Sequence, residues 1–318
     1  MNDGIDTDAK WAFPEKGSYK MKLRDVYKDI GRHKSTAKKL QKYILENFTE
    51  EKQNLDFATK ILGDQVTKSE NAKYVFVSDF FANQLQGGAE LSLQTLIDKA
   101  SDESVQINSS DLTEEYVERN KDKTWIFGNF TQASKESIDK VLKEKINYNI
   151  IEFDYKFCKY RNLELHETLE GEACNCAEEE HGKEIGKFIS KAKNVFFMSN
   201  VQMNVYLDKI KSLKKSKCIV LSSIFDDKFF DAIKQLRELY NKKEDKWVVS
   251  SSPSWVKGSK EAEQWCVENK KEYNKMHGLS YKDALVTLAK SKGLCFLPTG
   301  ADTCPRLVIE AKLLDRKS

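Results

Sequence analysis

Near the end of the 318-residue chain two acids, Asp302 and Glu310, are separated by seven residues and straddle Pro305. The segment around them reads as a short apolar strand, Leu294 to Leu297, ended by Pro298, then a polar turn and a helix. Pro305 suits the first helical turn, so the helix is expected to start near Cys304 with Thr303 or Asp302 as its cap. Unpaired N–H groups at such a helix start face the turn and favour an anion, phosphate above all. Leu307, Glu310, Ala311 and Leu314 recur at helical spacing, which sets Glu310 beside a buried stripe, where a carboxylate needs a partner.

Three further groups have chemistry to offer. Gly87-Gly88-Ala89-Glu90 follows an apolar run and opens a helix, and paired glycines there let backbone approach a phosphate; the dinucleotide Gly-x-Gly-x-x-Gly spacing is absent. Val248-Val-Ser-Ser-Ser-Pro-Ser-Trp255-Val-Lys257-Gly258 leaves a strand and enters a helix, bringing one cation. Cys158, His166, Cys174, Cys176 and His181 gather thiol and imidazole groups in an irregular insert. Cys158, Cys174, Cys176 and His181 are the expected ligands of a structural zinc ion, although the spacing departs from paired Cys-x2-Cys and also suits unligated thiols in a loop.

Taken together, Gly87-Gly88-x-Glu90, Lys257-Gly258 and Asp302-x7-Glu310-Ala311 resemble, in order, the motifs of the group 1 (family 4) retaining glycosyltransferases, over roughly residues 73 to 314. The resemblance implies a GT-B fold and transfer of a sugar, with retention, from a UDP-, GDP- or ADP-sugar to a saccharide, lipid or protein acceptor. It assigns the donor to Gly87, Gly88, Glu90, Lys257, Gly258, Thr303 and Glu310, with Glu310 receiving the ribose hydroxyls and Asp302 lying by the sugar. Two positions depart from the family: Asp302 stands for a glutamate, and Ser252 stands where an arginine would share the diphosphate with Lys257. The family commits no protein nucleophile; His166 and Asp154 are the candidates for a base, and Asn129 for the acceptor side. A non-catalytic nucleotide-sugar-binding or assembly module is the alternative.

The elements that must position these groups alternate. Tyr74 to Val77, Val105 to Ile107, Trp125 to Phe127, Ile146 to Phe153 and Asn194 to Met198 are strand-length apolar runs with helical patterns between them. A second alternating set begins at Cys218 to Leu221 and continues through Trp247 to Val249, Tyr273 to His277 and Leu294. The expected fold is α/β, two facing Rossmann-like doubly wound domains with parallel sheets, divided near Lys214 to Lys217 into residues 71–216 and 217–318. Residues 1–70 read as a helical extension: an irregular arm to residue 17, a helical pattern from Tyr19, and another helix from Thr49. They resemble a glycosyltransferase tail, while the second domain is expected to be incomplete; a tandem fragment, a circular permutation and a plain extension all fit.

Lys and Arg total 53 against 50 Asp and Glu, a net charge of +3 that gives no electrostatic case for nucleic acid. No apolar run reaches membrane-spanning length, and seven cysteines do not form a secreted disulfide framework, so the expected compartment is the cytoplasm.

Overall fold

The computed structural model describes residues 16–47, 72–100, 103–303 and 305–318. The chain divides into two compact units, Met1–Thr67 and Lys68–Ser318. In the first, helices α1 (Lys16–Lys28) and α2 (Ile30–Asn47) meet at a turn where the Asp29 carboxylate accepts the Arg32 backbone N–H at 3.0 Å and Asp25 accepts the Arg32 guanidinium at 3.0 Å. Helix therefore begins earlier than the pattern from Tyr19 suggests. The helix expected from Thr49 and most of the arm lie outside the described residues.

The second unit carries two parallel sheets. The larger runs β2 (Ser104–Asn108), β1 (Tyr74–Ser78), β3 (Thr124–Phe127), β4 (Asn147–Glu152), β5 (Val195–Phe197), β6 (Cys218–Val220). Its inner strands are apolar on both faces because helices cover both. Val75, Phe76 and Val77 are all buried, and so are Trp125, Phe127, Ile150 and Ile151. Each large side chain taken fully out of water here contributes about 1.5–3 kcal/mol. The crossovers are α3 (Gly88–Ala100), α4 (Glu114–Arg119), α5 (Lys135–Lys143), α6 (Leu163–Glu170), α7 (Glu180–Lys191) and α8 (Asn200–Lys209). Several start at caps legible in the sequence: Thr113 accepts the Tyr116 N–H, Ser134 that of Ser137, and Ser199 that of Gln202.

The smaller sheet runs β8 (Tyr273–Met276), β7 (Trp247–Ser250), β9 (Gly293–Cys295), with α9 (Asp227–Leu239), α10 (Ser259–Glu268), α11 (Tyr281–Lys290) and α12 (Arg306–Leu313) around it. The Leu294 N–H donates to the Lys317 carbonyl at 2.7 Å, so Lys317 lies alongside β9.

Three expectations are corrected. Cys218–Val220 is the sixth strand of the first sheet, paired with β5, so the change of sheet falls between Val220 and Trp247 and not at Lys214 to Lys217. β9 ends at Cys295: Phe296 and Leu297 leave the ladder before Pro298, and the Leu297 carbonyl lies against the turn at Gly258. α12 starts at Arg306 with Pro305 as its N-cap; neither Asp302 nor Thr303 caps it, since both side chains are engaged elsewhere.

Both sheets have a point where chain order reverses, beside β1 and β3 in the first and beside β7 and β9 in the second, and crevices open at the carboxyl ends of strands at such points. The Gly87-Gly88 loop follows β1, while Lys257-Gly258 and Asp302 follow β7 and β9. Gly258 is fixed by geometry. Its φ is +56°, and an added Cβ would run into the Leu297 carbonyl. Gly258→Ala should therefore cost about 1–3 kcal/mol from the backbone conformation alone, with more for displacing Leu297. Urea unfolding of the variant measures this, and wild-type stability would refute the close approach.

Candidate functional site

A cleft of about 460 Å³ is lined from both sheets, by Gly88, Asn129 and Asp154 on one side and Lys257, Asp302 and Glu310 on the other. A volume of that order suits a small-molecule ligand.

Glu310 lies in the first two turns of α12 and is 3% exposed. Its Oε1 accepts the Tyr281 hydroxyl at 2.7 Å and the Arg306 Nε–H at 2.9 Å. Burial pushes its pKa up from 4.5, and those two donors pull against the shift. Arg306, one turn before it, is itself buried. Its Nη1 donates to the Ile224 carbonyl at 2.7 Å and reaches Ser92 Oγ at 3.4 Å, and its guanidinium sits 4.0 Å from the Phe225 ring centre. One side chain thus ties α12 to α11, to the connection after β6 and to α3 of the other sheet.

Asp302 is placed by the turn between β9 and α12. Its Oδ2 accepts Lys257 Nζ at 2.6 Å. Around it the Thr303 hydroxyl donates to the Phe153 carbonyl at 2.5 Å, the Ala301 N–H donates to Glu164 Oε2 at 3.2 Å, and Asn162 Nδ2 donates to the Ala301 carbonyl at 3.2 Å. Ser252 lines the cleft and accepts the Ser254 N–H at 3.2 Å.

On the wall from the first sheet Asp154 and Asn129, both named from the sequence, are joined by Arg161, which was not. Arg161, at φ +58°, donates from Nε to Asp154 Oδ2 at 2.7 Å and from Nη2 to Asn129 Oδ1 at 3.0 Å. Asp79 lies behind them. Burial would raise its pKa, but donation from Ser109 at 2.5 Å, Thr131 at 2.7 Å and the Gln132 N–H at 3.1 Å more than offsets that and holds it below 3.8.

Of the donor residues expected from sequence, Gly88, Lys257, Asp302, Thr303 and Glu310 line the cleft. Gly87 and Gly258 do not line it; Gly258 packs against the Leu297 carbonyl. Glu90 does not line it: the carboxylate is buried, folds back over Gly87 and bonds Asn129, and burial raises its pKa. Gly88 lies beside Arg306, and an added Cβ there would meet that residue's Cβ at 3.5 Å, an ordinary packing distance.

His166 is corrected. It lies outside the cleft, 1% exposed, with Nδ1 at 3.4 Å from Cys176 Sγ and 3.8 Å from Cys158 Sγ. Cys158, His166, Cys174 and Cys176 form a buried group whose ligand atoms all lie within 4.8 Å of one another, and among the described residues it is the only such group able to hold a metal. His181, expected as a ligand, is not in it; its Nε2 is 3.0 Å from the Lys156 carbonyl. Without a cation burial pushes the Cys174 thiol up to about 12 and raises Cys158 as well.

No protein-family model matches the chain, and no curated protein matches it.

Arg306 and Glu310 make a sharp test of this geometry. Arg306→Met leaves a buried carboxylate without its cation and should cost about 3–5 kcal/mol in urea unfolding. Adding Glu310→Gln should recover part of that. With Glu310 raised further in the folded state, the single variant should lose stability as pH climbs above 4.5, because the unfolded chain releases that proton first. A single variant as stable as wild type would refute the pairing.

Proposed function

We propose that this chain is a glycosyltransferase of GT-B architecture that moves a sugar, with retention, from a nucleotide-sugar donor to an acceptor, in the cytoplasm. The observation that carries the reading is convergence: Gly88, Lys257, Asp302 and Glu310, segments more than 200 residues apart at their extremes, line one cleft at the carboxyl ends of two parallel sheets.

In this reading the donor diphosphate lies between α3, which starts at Gly88, and Lys257. The Lys257–Asp302 pair must loosen or share its cation as the phosphates arrive. Arg306 supplies a second positive charge in the cleft, on a different strand–helix unit from the position occupied by Ser252. Glu310 Oε1 already carries Tyr281 and Arg306, so its other oxygen is the one that accepts ribose hydroxyls. Asp302 lies by the sugar, and Asp154, held by Arg161, faces the acceptor side together with Asn129. The metal of this reading is a structural zinc ion on Cys158, His166, Cys174 and Cys176.

A non-catalytic nucleotide-sugar-binding module is favoured by one observation, the Asp302 carboxylate already paired with Lys257 beside a serine in place of arginine. Transfer to any acceptor excludes it.

Thermal shifts with a panel of UDP-, GDP- and ADP-sugars decide the donor, and no stabilisation by any of them sinks the proposal. Glu310→Gln should weaken nucleoside diphosphate binding by about 1.5–3 kcal/mol, a charge-assisted bond's worth. Asp302→Asn should weaken the intact sugar nucleotide while leaving the diphosphate almost unchanged. Paired calorimetry of the two variants separates these roles.

A further inference from the structure

The segment between β4 and α7 is organised about the thiol–imidazole group. Cys158 sits in a tight reversal, its N–H donating to the Tyr155 carbonyl and its own carbonyl accepting the Arg161 N–H, both at 2.8 Å. Asn162 then caps α6, accepting the Leu165 N–H at 2.9 Å, and His166 points inward from the first turns of that helix. Gly171 ends α6 with φ +76°, and Cys174 and Cys176 follow. α7 closes over the second pair: an added Cβ on Gly182 would run into the Cys176 carbonyl.

The spacing within the group fits one ion. Zn–S bonds near 2.3 Å and Zn–N near 2.0 Å in a tetrahedron put sulfur and nitrogen about 3.5 Å apart and two sulfurs about 3.8 Å apart. The two S···N distances, 3.4 and 3.8 Å, bracket the first of these. Three cysteines and a histidine fill all four positions, leaving none for substrate, which marks a structural site. Binding replaces three S–H bonds by Zn–S bonds and releases three protons.

The same segment grips the turn of the other sheet that bears Asp302. Asn162 Nδ2 reaches the Ala301 carbonyl, Glu164 accepts the Ala301 N–H, and an added Cβ on Gly300 would meet Asn162 Oδ1 at 2.9 Å. Asn162 lies between two ligands, four residues after Cys158 and four before His166. We infer that a Zn²⁺ ion on Cys158, His166, Cys174 and Cys176 acts as a positioning device, fixing the start of α6 so that Asn162 and Glu164 hold the Asp302 turn against the first sheet. The inference rests on the zinc assignment and not on sugar transfer.

The test uses the full chain, purified without chelator. Elemental analysis should find about one zinc per chain. Cys174→Ser with Cys176→Ser should release it. Amide hydrogen exchange over residues 299–303 should then quicken by about 10-fold, the factor one protecting hydrogen bond contributes, while β1 and β3 stay protected. Asn162→Asp keeps the helix cap and the zinc but loses the donor to Ala301, and should quicken the same segment alone; if the cysteine variant does not fold, chelation of zinc from the wild-type chain should quicken it likewise. A chain that binds no zinc even when Zn²⁺ is added overturns the inference. So does exchange at 299–303 that loss of the zinc leaves unchanged, whatever Asn162→Asp does. A chain that meets both expectations yet binds no nucleotide keeps the zinc device and loses the glycosyltransferase reading.

Discussion

The buried guanidinium of Arg306 is the interaction on which the arrangement of the two sheets depends. It touches Glu310 on its own helix, Tyr281 on α11, the Ile224 carbonyl, Ser92 on α3 and the face of Phe225. A charge removed from water at that depth is tolerable only if nearly every N–H finds an acceptor, and the acceptors come from both sides of the cleft. Separating the sheets would take away the Ser92 hydroxyl on α3, while Glu310 and Tyr281, both beside the second sheet, would stay with the guanidinium. Gly88 and Ser92 on α3 both lie against Arg306.

A second seam runs through the turn at 299–303. Thr303 reaches the Phe153 carbonyl, Ala301 packs against the core of the first sheet, and the Thr299 hydroxyl donates to the Trp255 carbonyl at 2.5 Å. The two seams flank Asp302. Its carboxylate is therefore located by backbone contacts on either side, and Lys257 completes the position without having to create it.

The strands were legible because a parallel strand buried on both faces reads as an unbroken apolar run, as in Val75 to Val77 or Trp125 to Phe127. Their partners were not. Cys218-Ile-Val is a strand by composition, but whether it lies beside β5 or β7 is decided by tertiary contacts that no local pattern records. Spacing likewise could not choose between His166 and His181: each lies within reach of Cys176 along the chain. The deciding fact is the α6 cap at Asn162, which turns His166 inward, and an Asn four residues before a histidine was the available signal. Arg306 carried one too, since it precedes Glu310 by four residues, the helical ion-pair spacing. Arg161 and Asp79, 82 residues apart in the chain, had no local signal at all.

The cleft carries its charges in pairs: Lys257 with Asp302, Arg306 with Glu310, Arg161 with Asp154. Each pair holds a long side chain in one rotamer, so the ordering entropy is spent in the folded chain and not at ligand binding. Pairing also leaves the cleft with little net charge, in keeping with a chain whose 53 basic and 50 acidic residues nearly balance. Long-range attraction of an anion is then weak, and recognition has to come at short range from a cation that changes partner. Of the three, Arg306 is fixed by neutral acceptors as well as by its acid, and Arg161 is shared between Asp154 and Asn129. Lys257, about a third exposed and described with one carboxylate partner, is the cation free enough to turn towards a ligand while the sheets stay where Arg306 holds them.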